Sequence, residues 1–201
     1  MNIRRRVRTL LCLIEFFIVY LLGKIFGLSL IIRYLRNPNP CVSAYLLRAF
    51  GAKVGSGTTI KRGLLIDNAY EDENSTNSFD HLQIGANCYI GDNVYFDLSN
   101  TIILADDVVV SGRASFITHA DCNRSTYLTG KFPRQCKPVR IDQDVWIGFG
   151  ATILAGVVVE EKSVVAAMAL INSNVESKAV YAGIPAKKIK NLEGLSEEVQ
   201  H

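Results

Sequence analysis

The chain has 201 residues, 49% of them hydrophobic and 20% charged, enough for one sizeable core and a small appendage. A formal net charge of +3 makes no case for nucleic acid as a partner. The charge is uneven: residues 1–36 hold seven basic groups (Arg4, Arg5, Arg6, Arg8, Lys24, Arg33, Arg36) against one acid, Glu15, so the remainder is mildly acidic.

Residues 10–35 form an apolar run behind a basic start. A secretory signal shares that layout, but no small-residue cleavage site follows and the run continues past Gly23 and Lys24. A transmembrane helix fits by length, at the cost of placing Glu15 and Lys24 inside the span. On a helical wheel Arg4, Arg8, Glu15, Ser29, Arg33 and Arg36 share one arc, and the rest is apolar apart from Lys24 and Thr9. That pattern describes a helix lying in a membrane interface with its charges toward water. A helix packed on the body of the protein or in an oligomer is the third reading. The basic, apolar front end points to contact with an anionic membrane surface, at the cytoplasmic face of the inner membrane; without that contact the chain is cytoplasmic. Residues 37–40 (NPNP) end the helix, and CVSAYLLRAF predicts a short one closing at Gly51. Residues 1–50 are therefore an N-terminal helical segment.

From residue 51 a six-residue period takes over. Ile141, Ile147, Ile153, Val159, Val165 and Ile171 are spaced by six without a slip, and earlier blocks repeat it: Val54, Ile60 and Ile66; Ile84, Ile90 and Phe96; Leu104, Val110 and Phe116. One short strand and one tight turn per six residues make a flat face, and three faces close a triangular coil. Stacking the coils buries one aliphatic column per face and pairs the backbone groups of successive coils. The expected fold is mainly β, a left-handed parallel β-helix, with N-terminal hydrophobic helices and a short C-terminal helix. A β-sandwich does not account for constant spacing by six. The β-helix should run over 51–185, with a tail at 186–201.

The period fails twice. Residues 67–83 hold five acids and no base; residues 118–140 hold Arg124, Lys131, Arg134, Lys137 and Arg140 against Asp121. Long loops leaving a rigid repeat are where function tends to lie. The five cysteines (Cys12, Cys41, Cys88, Cys122, Cys136) show no metal spacing and fit a reducing compartment; Cys122 and Cys136 share a loop and could pair on oxidation. No metal site is expected, and no phosphate-binding loop, dinucleotide fingerprint or HExxH motif is present.

Of the three histidines, His201 ends the chain and His81 lies in the acidic excursion, where solvation is the default. His119 stands at the root of the basic loop, and imidazole is the side chain suited to accept and return a proton near neutrality. The stretches FITHADC, IDQDVWIGFGATILAGVVV and VYAGIPAKKI make residues 51–190 resemble the hexapeptide-repeat acyltransferases, among them maltose and galactoside O-acetyltransferases and those of bacterial surface polysaccharides. The resemblance implies an acetyl-CoA-dependent O-acetyltransferase, a homotrimer, with a cell-envelope sugar or polysaccharide precursor as acceptor. An amino-sugar or small-molecule N-acetyltransferase and a non-catalytic β-helix scaffold are the alternatives. His119 becomes the general base. Asp97 stands where the sugar acetyltransferases often place asparagine, a departure that leaves it able to orient the imidazole or meet the acceptor. Trp146, Gly148, Gly150 and Ala151 match the segment lining the pantetheine slot, and Ala166 and Ala167 the coil above it, where Met168 replaces a glycine. Lys187 and Lys188 match the basic group that meets the CoA phosphates.

Overall fold

The structure, a computed structural model, describes residues 3–122 and 124–192. Three helices open the chain: α1 (Ile3–Phe26), α2 (Leu28–Leu35) and α3 (Pro40–Ala49). The wheel drawn from the sequence assumed one continuous helix. Gly27, at φ 87°, breaks it instead, and α2 turns back onto α1. Glu15 consequently faces the body: it accepts hydrogen bonds from the Tyr34 hydroxyl and from Asn39 Nδ2 (3.0 Å). Gly23 lets α2 and α3 pack close here, since a Cβ would press on the ends of the Ile31 and Phe50 side chains. Cys12 and Cys41 form a disulfide joining α1 to α3, which the reducing-compartment reading did not anticipate, whereas Cys122 and Cys136 stay unpaired thiols.

Helices α2 and α3 plug the open end of the β-helix. Val42, Leu46 and Leu47 of α3 are wholly buried, and Arg48 donates to the carbonyls of Val54 (2.8 Å) and Gly55 (2.9 Å) on the first coil. A coil edge leaves backbone groups without partners, and Arg48 covers two of them.

Beyond the helices, parallel strands of two or three residues stack into three sheets. The first face carries 53–54, 82–84, 102–104, 139–141 and 158–159. The second carries 59–60, 89–90, 109–110, 146–147 and 164–165, and the third 65–67, 95–97, 115–116, 152–153 and 170–171. Register pairs Ile84 with Leu104, Ile90 with Val110, and Ile153 with Ile171, so each sixth residue lies above its counterpart. All fifteen repeat positions named from the sequence are buried, and Phe96 stacks on Phe116 at 5.3 Å within the third column. The fold is the left-handed β-helix expected.

The far end departs from expectation. Ala186–Asn191 is a strand, not the start of a helix or a tail; it pairs antiparallel with Ala179–Gly183 and covers the second face's last edge. Residues 193–201, the rest of the anticipated C-terminal helix, lie outside those described.

Candidate active site

Both long excursions leave the prism at the same corner, between the third face and the first of the next coil. The corner between them in sequence is also irregular: Phe96 and Leu104 are eight residues apart rather than six. Three successive coils thus break the period along one edge. Asp67, Asp97 and Ile117 lie one above another there, since Asp67 pairs with Asp97 and Phe96 with Phe116.

Asp97 is wholly buried at this edge. Its Oδ1 accepts from Asn68 Nδ2 (2.8 Å) and the Ser99 N–H (3.2 Å). Its Oδ2 accepts from the N–H groups of Thr118 (2.7 Å) and His119 (3.0 Å) and faces His119 Nδ1 at 2.7 Å. Burial alone pushes the carboxyl up; hydrogen bonds from Asn68, His119, Thr118 and Ser99 outweigh it and hold the group at about 2. An ionised carboxylate has no proton to give, so His119 carries its proton on Nδ1 and its lone pair on Nε2. Ser99 Oγ, 3.1 Å from Nδ1, is a second neighbour of that nitrogen. The imidazole is a quarter exposed, so an orienting carboxylate lies beneath and a reachable ring above. Asp97 lies buried beneath His119 and holds the ring through Nδ1.

His119–Ala120 pairs antiparallel with Gln135–Cys136, making the basic excursion a hairpin that starts at the candidate base. Arg134 then bridges the two excursions. Its guanidinium contacts Asp72 (2.6 Å) in the acidic segment and Asp121 (2.7 Å) in its own, with Glu73 at 3.1 Å. The opposite charges of 67–83 and 118–140 were visible in the sequence; their meeting through one arginine was not. The cleft so formed, about 420 Å³, is lined by Glu71, Asp72, Glu73, Asp121, Thr129 and Phe132 among others. His81 is no solvated bystander: its Nδ1 lies 2.8 Å from the Leu98 carbonyl, at the same edge.

The residues matched to the CoA segment lie elsewhere. Trp146, Gly148, Gly150, Ala151, Ala166 and Ala167 occupy the corner between the second and third faces, a different edge of the prism from His119. Gly148 is needed for stacking, since a Cβ would sit 2.5 Å from the Ala167 nitrogen. Met168 adopts φ 59°, in the left-handed region that favours glycine, and its sulfur covers Gly150. Along this edge Trp146, Phe149 and Met168 are exposed, forming an apolar strip. Arg113, not singled out from sequence, holds its guanidinium 5.5 Å from the Phe149 ring centre. Lys187 and Lys188 lie on the closing strand, both exposed, and Lys188 is ion-paired to Glu176 at 2.6 Å. Among the described residues no cluster of metal-ligating side chains occurs.

Fold and repeat together define the architecture: hexapeptide repeats stacked in a left-handed β-helix. The family description "Hexapeptide repeat of succinyl-transferase" matches residues 82–112 and 138–168. A Saccharomyces cerevisiae relative named "Putative acetyltransferase" is 34% identical over 117 residues, which are 54% of this chain and 58% of the relative. The chain thus spans less than two thirds of that relative's length. The crystal structure of a hexapeptide-repeat acetyltransferase from Vibrio cholerae complexed with acetyl-CoA superposes with a TM-score of 0.67 at 22% identity, covering 81% of this chain and 83% of that one. A maltose O-acetyltransferase from Clostridium difficile gives 0.67 at 19% identity, over 81% and 82%.

Proposed function

We propose that this chain is an acetyl-CoA-dependent O-acetyltransferase acting on a hydroxyl of a cell-envelope sugar or polysaccharide precursor. The observation that carries the reading is the Asp97–His119 pair at 2.7 Å, at the edge where the repeat opens. His119 Nε2 takes the proton of the acceptor hydroxyl as its oxygen attacks the thioester carbonyl. Collapse of the tetrahedral intermediate breaks the C–S bond, and the imidazolium returns the proton to the departing thiolate. The products are an acetyl ester and free CoA. Asp97 holds the tautomer and stabilises the imidazolium between those two steps. The Thr118 and His119 N–H groups are committed to Asp97, so the oxyanion donor comes from another group.

The apolar strip at Trp146, Phe149 and Met168 suits a pantetheine arm, and Arg113, Lys187 and Lys188 suit the phosphates. Since strip and base lie on different edges of one prism, we propose that neighbouring copies in a homotrimer set one chain's strip beside the next chain's His119. The cell-envelope acceptor is supported by the apolar N-terminal helix, which suits an enzyme held at the cytoplasmic face of the inner membrane, where acetyl-CoA is at hand.

The test is CoA release and acetyl transfer, read by mass spectrometry, against a panel of glycosides and amino sugars. His119→Gln should cut turnover by about 10²- to 10⁴-fold while its melting temperature stays near that of the parent. Undiminished turnover refutes the mechanism, and transfer confined to amines refutes the acceptor class.

A further inference from the structure

Among the described residues, helix α1 carries the longest run of exposed large apolar side chains. Val7, Leu10, Leu11, Leu13, Ile14, Phe17, Ile18, Leu21, Leu22, Ile25 and Phe26 all point outward, and only 11% of the Thr9–Phe26 window is buried. The two charged groups inside that window are engaged with the body. Glu15 is bonded to Tyr34 and Asn39, and the Lys24 ammonium folds back to within 5.4 Å of the Tyr20 ring and 5.2 Å of Phe50. Glu15 therefore leaves the charged stripe that the wheel suggested. Between Leu10 and Phe26 both charges contact the body, and the other exposed side chains are aliphatic or aromatic.

Three further features identify the occupant of this face. At 100° per residue the exposed apolar positions cover an arc of about 220°. A partner helix needs only the narrow seam formed by Val7, Leu11, Ile14, Ile18, Leu21 and Ile25, usually flanked by charges free to pair across it; here Leu10, Leu13, Phe17, Leu22 and Phe26 widen the face on both sides, and the two charges among them, Glu15 and Lys24, are engaged with the body. Basic charge borders the run: Arg4, Arg5, Arg6 and Arg8 precede it in sequence, and exposed Arg33 of α2 and Arg36 after it flank Tyr34, which meets Glu15 midway along α1. Finally, α1 is tied sideways to α2 and α3 from Cys12 through Glu15 to Gly23, about three turns, so it cannot stand apart from the body as an independent span.

We infer that α1 is an in-plane membrane anchor: its inner side is fixed to the helical plug of the β-helix, its outer side enters the acyl layer of an anionic bilayer, and its flanking arginines meet the headgroups. This goes beyond the acetyl-transfer chemistry and can fail without it, because vesicle binding requires no turnover; only the cell-envelope acceptor rests on the same helix.

The experiment uses the full chain with phosphatidylcholine vesicles, with and without phosphatidylglycerol. Flotation should recover the protein with the anionic vesicles, and neutral vesicles should bind at least about tenfold more weakly. The exposed pair Ile18→Glu and Leu21→Glu should abolish binding and leave the circular dichroism and melting temperature unchanged. For depth, tryptophan is placed singly by Leu11→Trp, Ile18→Trp and Ile25→Trp in a Trp146→Phe background and quenched with lipids brominated at defined carbons. Equal depth at all three positions is expected. Depths graded from one leaflet to the other overturn the in-plane geometry in favour of a span. Failure to bind either vesicle, with a drop in solution mass for the Glu pair, overturns the anchor in favour of a contact between copies.

Discussion

Replacing Asp97 by asparagine tests how the edge works, because the carboxylate uses both oxygens. Three N–H groups converge on Oδ2 and two on Oδ1. An amide accepts at one atom only, so its NH₂ opposes the fewer donors when it turns toward Asn68 and Ser99. Its oxygen then still accepts from His119 Nδ1, but without charge. At the start of the reaction the loss is small; once His119 holds the extra proton, a buried anion beside it is missing. Two unit charges about 4 Å apart at an effective dielectric near 20 attract by roughly 4 kcal/mol, and the quarter exposure of the ring reduces this to roughly 2–4 kcal/mol. At 1.36 kcal/mol per tenfold, kcat for acetyl transfer should fall about 30- to 1,000-fold in Asp97→Asn, with the KM for acetyl-CoA little changed. Stability gives a second readout. The carboxyl is held at about 2 against an ordinary 3.8, so its ionised form favours the folded state by roughly 2 kcal/mol. The depressed value fixes the sign: the contribution is present in full above about pH 4 and is lost as pH falls through about 2. Thermal melts from pH 7 to pH 3 should show an acid-side loss in the parent that shrinks in the variant. A kcat within threefold of the parent would refute the orienting role, whatever the melts show.

Two other perturbations address different levels of the structure. Arg134→Gln removes the bridge between the excursions and leaves Asp72, whose side chain is 7% exposed, without its cation. Hydrogen exchange over 67–83 should speed up and the acceptor KM should rise about tenfold with little change for acetyl-CoA; unchanged exchange sinks the idea of a clamp. Gly148→Val places a side chain against the Ala167 backbone in the next coil, and should lower stability by roughly 1–3 kcal/mol in a denaturant melt. A variant as stable as the parent would show that the glycine serves a ligand rather than the stack.

The sequence determined the fold because the β-helix is local in its logic. Each sixth residue must be aliphatic for its column to close, so Ile141 through Ile171 declare face, register and spacing with no knowledge of distant contacts. His119 was legible for a related reason: it stands where that pattern stops. Arg113 was not, since its pairing with Phe149 lies across coils and no spacing rule marks it. The N-terminal reading failed in its particulars because a helical wheel takes the chain as straight. Gly27 broke it, and the back-folded α2 offered Glu15 partners that made facing inward cheaper than facing water. Tertiary structure alone could decide that 67–83, 97–101 and 118–140 leave along one edge, because the corner at which each exits depends on how many coils of three lie between them. It also decided that one arginine would join the two loops and that His119 and the apolar strip would stand on separate edges. Those outcomes follow from the stacking of coils, which brings together residues that a six-residue period can count but not place.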